Sequence, residues 1–143
     1  MLSHTSKYAI RAVIYLELYS SMENKIGIKE IARELDIPSP FLGKIMQVLV
    51  RSKILGSTKG PHGGFYLDRP AMDIPLMDII EIIDGKDVFN DCVLRTTSCD
   101  PDQPCSMHQK LAPARREIKG VFSAETIADM VSEFREGKKK VRI

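Results

Sequence analysis

"IKEIARELDIPSPFLGKIMQVLVRSKILGSTKGPHGGFYL", residues 28–67, carries two apolar periodicities and then a glycine-rich tip. In "GIKEIARELDI" the residues Ile28, Ile31, Ala32 and Leu35 form one stripe, which predicts a short amphipathic helix. "DIPSPF" reads as a tight turn, with Ser39 as the cap of a following helix and Pro40 in its first position, where no intrahelical donor is lost. From Pro40 to about Ser52 that helix sorts its residues. Leu42, Ile45, Met46 and Leu49 share one face, while Gly43, Lys44, Gln47 and Arg51 recur on the other. Two short helices joined by a tight turn, the second presenting an amide and cations, match a helix-turn-helix. Lys44 and Gln47 are the candidates for base edges and Arg51 for phosphate. A merely solvated charged face explains this helix equally well when it is taken alone.

The next residues shift that balance. "KILGSTK" and "FYLDR" read as two strands joined by "GPHGG", so the segment is a hairpin, and a hairpin directly after a helix-turn-helix is a wing. Glycines let the tip backbone approach a groove wall, and Pro61 limits its freedom. Lys59 and Gly60 at the tip are placed to enter a minor groove or lie on phosphate, and His62 is read as a backbone or phosphate contact. A phosphate-binding P-loop is excluded by order, because that motif follows its glycines with Lys-Ser/Thr and a helix. Between Ser39 and Leu67 the cations Lys44, Arg51, Lys53 and Lys59 occur without a single acid, although the whole chain carries a net charge of only +2. A local basic face on a near-neutral protein is an electrostatic footprint for nucleic acid.

Working outward, a helix is predicted from a cap at Thr5 or Ser6 to about Ser21, with Ala9, Ala12, Val13 and Leu16 on its apolar face. After the wing, "MDIPLMDIIEIIDG" predicts a strongly apolar helix ending at Gly85 that packs on the winged-helix core. Leu111, Ala114, Ile118, Val121 and Phe122 predict another, in which Pro113 marks either the start or a kink. A last helix is expected from a cap at Ser123, presenting Ile127, Met130, Val131 and Phe134. These two helices either pack on their own domain or face a partner. "GKKKVRI" reads as a solvated tail that adds non-specific DNA affinity. The expected organisation is a winged helix-turn-helix domain over 1–85, a cysteine-rich loop over 86–108, and dimerisation helices with a basic tail over 109–143. The fold class is mainly α with one small β-hairpin.

"DCVLRTTSCDPDQPCSMH" has a different character. Six residues separate Cys92 from Cys99, five separate Cys99 from Cys105, and His108 follows three positions after Cys105. A helix starting near Cys105 or Ser106 would put Cys105 and His108 on one face. Three thiolates and an imidazole are a soft donor set suited to an iron–sulfur cluster or to zinc. Zinc modules generally include a tight C-x₂₋₄-C pair, which this loop lacks, and structural thiols favour apolar surroundings, which it also lacks. Cluster, zinc and thiol sensor all remain open on spacing. His4 has no local partner that would make it a ligand.

Among 143 residues, 43% are hydrophobic, enough for the core of one domain, and no run is long and apolar enough to span a bilayer. "MLSHTSKYAIRAV" lacks the phases of a signal peptide, so a cytoplasmic location is expected, in which three cysteines make a poor disulfide framework. No strand–glycine–helix nucleotide unit, nucleophile elbow or C-x-x-C is present, which speaks against an enzyme.

"SKYAIRAVIYL", the 28–55 stretch, "STKGPHGGFYL" and "PLMDIIEIIDG", in that order and followed by three cysteines, resemble the IscR and NsrR group of winged-helix bacterial regulators, the Rrf/BadM family. The resemblance covers nearly the whole chain and implies a homodimer on a pseudo-palindromic double-stranded operator, with a long C-terminal helix crossing between subunits. It implies a [2Fe–2S] or [4Fe–4S] cluster held by Cys92, Cys99 and Cys105, with His108 in the place of the IscR-type fourth ligand. The NsrR-type alternative, an aspartate near the partner's N-terminus, has no counterpart in "SKYAIR". The chain departs from the IscR-type pattern in its six-residue first cysteine spacing and at Gly43, Lys44 and Lys59, so the resemblance does not carry an operator sequence. Some members of the family have lost the cluster and sense metabolites through a partner protein.

Overall fold

The computed structural model describes residues 1–92, 94, 96, 100 and 102–136. Its elements run α1 (His4–Tyr19), α2 (Ile28–Leu35), α3 (Ser39–Arg51), β1 (Leu55–Thr58), β2 (Gly64–Leu67), a 3₁₀ turn (Ala71–Asp73), α4 (Leu76–Asp84), α5 (His108–Ala124) and α6 (Ile127–Arg135). The fold is mainly helical with one antiparallel hairpin, as expected. The basic tail after Glu136 lies outside the described residues.

Apolar spacing placed the helices, while local hydrogen bonding moved their ends. The α1 cap is Ser3, whose hydroxyl accepts from the Ser6 N–H, and not Thr5 or Ser6. Helix α3 begins one residue earlier than expected: Pro38 holds the cap position, Ser39 is already helical and makes no capping bond. Ser123 lies inside α5, because Thr126 supplies the stronger start for α6, a reciprocal capping box with Asp129. Helix α5 starts at His108, runs through Pro113, and leaves Cys105 ahead of it, so Cys105 and His108 do not share a helical face.

The core forms where the stripes of α1, α2 and α3 meet, with Ala12, Leu16, Ile31, Leu42, Met46 and Leu49 among its fully enclosed members. Helix α6 returns to this same core through Ile127 and Val131, 0% and 2% exposed. Backbone bonds from Ile127 N–H to the Ile74 carbonyl and from Leu76 N–H to the Glu125 carbonyl tie it beside the entry to α4. A second, smaller cluster of Met77, Ile80 and Phe89 seats α5 through Ile118 and Phe122. Phe89 stacks on Phe122, with ring centres 5.8 Å apart. Cys92 follows Phe89 by three residues, and α5 begins three residues after Cys105.

Candidate DNA interface and cysteine loop

Helix α3 buries Leu42, Ile45, Met46 and Leu49, each at most 2% exposed. That orientation leaves Ser39, Pro40, Lys44, Gln47 and Arg51 in solvent. Gly43 is half-buried instead, facing α2: a Cβ there would lie 3.4 Å from the Ile28 Cδ1. Its small size therefore serves the approach of the two helices. Arg51 folds back on its own helix, its Nε donating to the Gln47 carbonyl at 3.5 Å. Neither Lys44 nor Arg51 has an acidic partner among the described residues.

The wing pairs Leu55 with Leu67, Gly56 with Tyr66, Ser57 with Phe65 and Thr58 with Gly64. Its tip closes by a bond from the Gly63 N–H to the Gly60 carbonyl at 2.9 Å, which leaves Lys59, Gly60 and His62 exposed. Ile26, in the connection between α1 and α2, pairs with Phe65 through bonds of 2.8 and 3.1 Å and acts as a third strand one residue long. This anchor ties the wing to the connection that leads into α2.

Between α3 and the wing lies an open groove of about 520 Å³, bordered by Gln47, Arg51, Ser57, Thr58 and Lys59, with Val50 and Phe65 at its base. It brings together three residues singled out in the sequence, Gln47, Arg51 and Lys59, and adds two hydroxyls that were not. A cationic and hydroxylated groove free of carboxylates suits a phosphodiester strand. Ser57 and Thr58 were legible only as strand residues; both are exposed because the hairpin runs out from the core beyond the buried Leu55 and Gly56. Phe41 was also passed over. It is 40% exposed in the first turn of α3 and is met edge-on by Tyr8, ring centres 5.8 Å apart, with Arg11 over the Tyr8 ring. The sequence signal for it is an aromatic residue set beside the apolar stripe.

In the cysteine loop, Cys92 is buried, Cys105 is half-buried, and their Sγ atoms stand 3.9 Å apart. Cys99 lies outside the described residues. His108 is half-buried at the start of α5, its N–H donating to the Cys105 carbonyl at 3.0 Å, and it borders a surface groove with Asn90, Arg115, Arg116 and Lys119. No group of three metal-binding side chains is assembled among the described residues. The two thiols nevertheless fit a shared ion: metal–thiolate bonds of about 2.3 Å at tetrahedral angles separate two sulfurs by about 3.8 Å. Two thiols at this separation are a donor pair of the kind that zinc or iron accepts.

The family profile described as "Rrf2: Iron-dependent Transcriptional regulator" matches residues 2–133. A putative HTH-type transcriptional regulator of Aquifex aeolicus is 34% identical over 132 residues, covering 91% of this chain and 90% of that protein. Among solved structures, CymR, the global cysteine regulator of B. subtilis, superposes with a TM-score of 0.77 at 21% identity, over 92% of this chain and 96% of that one. T. potens IscR does so with a TM-score of 0.75 at 22% identity, over 97% and 91%. At those identities the two structures speak for the fold alone.

Proposed function

The chain belongs to the Rrf2 family and is a DNA-binding transcriptional regulator, not an enzyme; from that premise we propose that the α3–wing face reads an operator and that an iron–sulfur cluster in the cysteine loop controls the binding. The acid-free groove between α3 and the wing carries this reading. Helix α3 enters the major groove with Ser39 and Pro40 leading, Lys44 and Gln47 at base edges and Arg51 on phosphate. Lys59, Gly60 and His62 follow the adjacent minor groove or its phosphates. Gly43 belongs to this surface only indirectly, by letting α3 lie close to α2.

A second copy of the chain completes the assembly. None of the 17 residues of α5 is buried, and Ala114, Gly120, Val121 and Ala124 form an exposed stripe along it. Two such helices crossing would hold two winged domains at the spacing of operator half-sites. Cys92, Cys99, Cys105 and His108 are the ligands assigned to the cluster, which supplies a redox- and iron-sensitive charge centre when bound. The chain's own part is mechanical. Phe89, ahead of the three cysteines, packs on Phe122 of α5, and His108, behind them, is the first residue of that helix, so a change between them alters how the helix is held.

The test has two halves. Duplexes selected by the chain from a random library define the operator, and Ala variants at Lys44, Gln47 and Lys59 should weaken binding by about 1–3 kcal/mol where they touch bases. Unchanged binding in all three would overturn the interface. Protein prepared without oxygen should contain iron and acid-labile sulfide, lost in Cys92→Ala, Cys105→Ala and His108→Ala. Zinc in their place, or no metal, would leave a regulator of the same fold that senses through thiols or a partner protein.

A further inference from the structure

Cys92 and Cys105 are thirteen residues apart in sequence, yet their sulfurs lie 3.9 Å from each other. Both sit outside helices and strands, Cys92 below α4 and Cys105 ahead of α5. Closing 3.9 Å to the roughly 2.05 Å of a disulfide needs side-chain rotation and a small backbone adjustment. It requires no break in a helical ladder, because the Cys105 carbonyl bond to His108 lies on the C-terminal side of the residue.

We propose that in the metal-free chain this pair is a redox modification site, joined by hydrogen peroxide into an intramolecular Cys92–Cys105 disulfide. The difference in exposure assigns the order. Cys105 is half-buried and Cys92 is 8% exposed, so the oxidant meets Cys105 first. The Cys105 thiolate attacks one peroxide oxygen, the O–O bond breaks, the departing oxygen leaves as water, and Cys105 becomes a sulfenic acid. The Cys92 sulfur then attacks the Cys105 sulfur, forming the S–S bond and releasing the sulfenic oxygen as a second water. Two thiols give up two electrons and two protons, and one hydrogen peroxide becomes two waters. The burial of Cys92 disfavours capping by a bulky thiol and leaves the neighbouring sulfur as the resolving group.

The same two sulfurs cannot ligate a metal and form this bond, so the oxidised chain and the metal-loaded chain are mutually exclusive states. The bond would also tie the residue three beyond Phe89 to the residue three before His108, at the foot of α5. This consequence rests on reading the loop as the control element of a DNA-binding protein; the disulfide itself does not.

The experiment uses the full chain, stripped of metal, fully reduced and treated with one equivalent of hydrogen peroxide, then alkylated and digested with trypsin without reductant. Cys92 falls in the peptide 87–95, whereas Cys99 and Cys105 share the peptide 96–110. The expected result is loss of two of the three thiols and a linked 87–95/96–110 pair whose fragmentation places the bond at Cys105. The link should persist in Cys99→Ser, and the oxidised protein should take up no iron or zinc until reduced. A 96–110 peptide two mass units light would mean a Cys99–Cys105 bond and overturn the proposal. So would loss of the link in Cys99→Ser, a disulfide-linked dimer, or a persistent sulfenic or sulfinic acid. Selection of duplex DNA by the reduced chain runs in parallel. A chain that selects none defeats the regulatory reading, while one that selects an operator but makes no Cys92–Cys105 link defeats only this inference.

Discussion

At position 64 the backbone leaves no room for a side chain. Gly64 has φ +149, and a Cβ would stand 2.6 Å from the Ile26 carbonyl carbon and oxygen, backbone atoms that cannot rotate away. That oxygen accepts from the Phe65 N–H, and the Ile26 N–H, whose nitrogen would be 2.9 Å from the same Cβ, donates to the Phe65 carbonyl. Gly64→Ala should therefore cost more than about 2 kcal/mol of stability, the sum of backbone strain and a broken bridge. DNA affinity should fall with it, because the wing loses its tie to the α1–α2 connection. Gly60, with φ +105 but open space around it, should lose less on the same change. Equilibrium denaturation of the two variants checks the order, and equal losses would mean that the Ile26 bridge contributes nothing. Lys59→Ala is the complementary case. Lys59 is exposed and has no ion-pair partner among the described residues, so its removal should leave the denaturation midpoint in place. If it lies on phosphate, the slope of log K against log salt should fall by about one unit, with losses uniform across sequences.

Between elements, the N-terminus of α1 is pinned to the C-terminus of α4. Asp84 accepts from the Ser3 N–H at 3.1 Å and from the Ser3 hydroxyl, the same hydroxyl that caps α1. Burial works to raise the Asp84 carboxyl, but the bonds from Ser3, the nearby Ser6 hydroxyl and the N-terminal charge together hold the group below its ordinary value. A depressed folded-state value means that the ionised form favours folding. The contribution is complete above the unfolded carboxylate pKa and is lost as pH falls through the lower folded value. Urea midpoints measured between roughly pH 5 and pH 2 should therefore decline less steeply in Asp84→Asn than in the parent chain. Parallel declines would show that the pin carries no pH-dependent stability. This contact was not legible in the sequence, since 81 residues separate its partners. What was legible follows the same logic in reverse. The faces of α2 and α3, the hairpin and the apolar run of α4 are set by local periodicity, so Leu42, Met46 and Leu49 could be assigned inward without a structure. Helix ends were harder, because Ser39, Ser123 and Thr126 are all competent caps and the reciprocal bond with Asp129 decides for Thr126. The site divided likewise. Lys44, Gln47, Arg51 and Lys59 stood out by charge and spacing. Ser57, Thr58 and Ile26 did not, because their importance comes from where the wing docks, and Gly43 was read as a surface residue although it faces α2.

For the whole molecule, the decisive feature is a helix that the other described residues cover on one side only. Helix α5 packs through Ile118 and Phe122 on the second cluster, yet Val121, 60% exposed, lies on its other side with Ala114, Gly120 and Ala124. Gly120 has no neighbour within 4 Å of a notional Cβ, so nothing among the described residues explains a residue that costs a helix interior about 1 kcal/mol relative to Ala. Pro113 adds a second penalty by removing a backbone donor past the first turn. A helix carrying both is understandable if a second α5 crosses it closely at Gly120, where any side chain would hold the two backbones apart. Gly120→Ala then has opposite effects at two levels. It should raise the stability of the separated subunit by up to about 1 kcal/mol. It should weaken self-association about tenfold or more, equivalent to about 1.4 kcal/mol, and weaken operator binding with it, because two half-sites are engaged only by a dimer. Val121→Asp should weaken association more strongly, by placing a charge in the same crossing. Sedimentation across a dilution series gives the dimer constant, and thermal denaturation at the lowest concentration gives the subunit's own stability. A Gly120→Ala chain that melts higher and dimerises as before would move the crossing elsewhere on α5, and one that melts lower would mean that Gly120 serves the subunit itself.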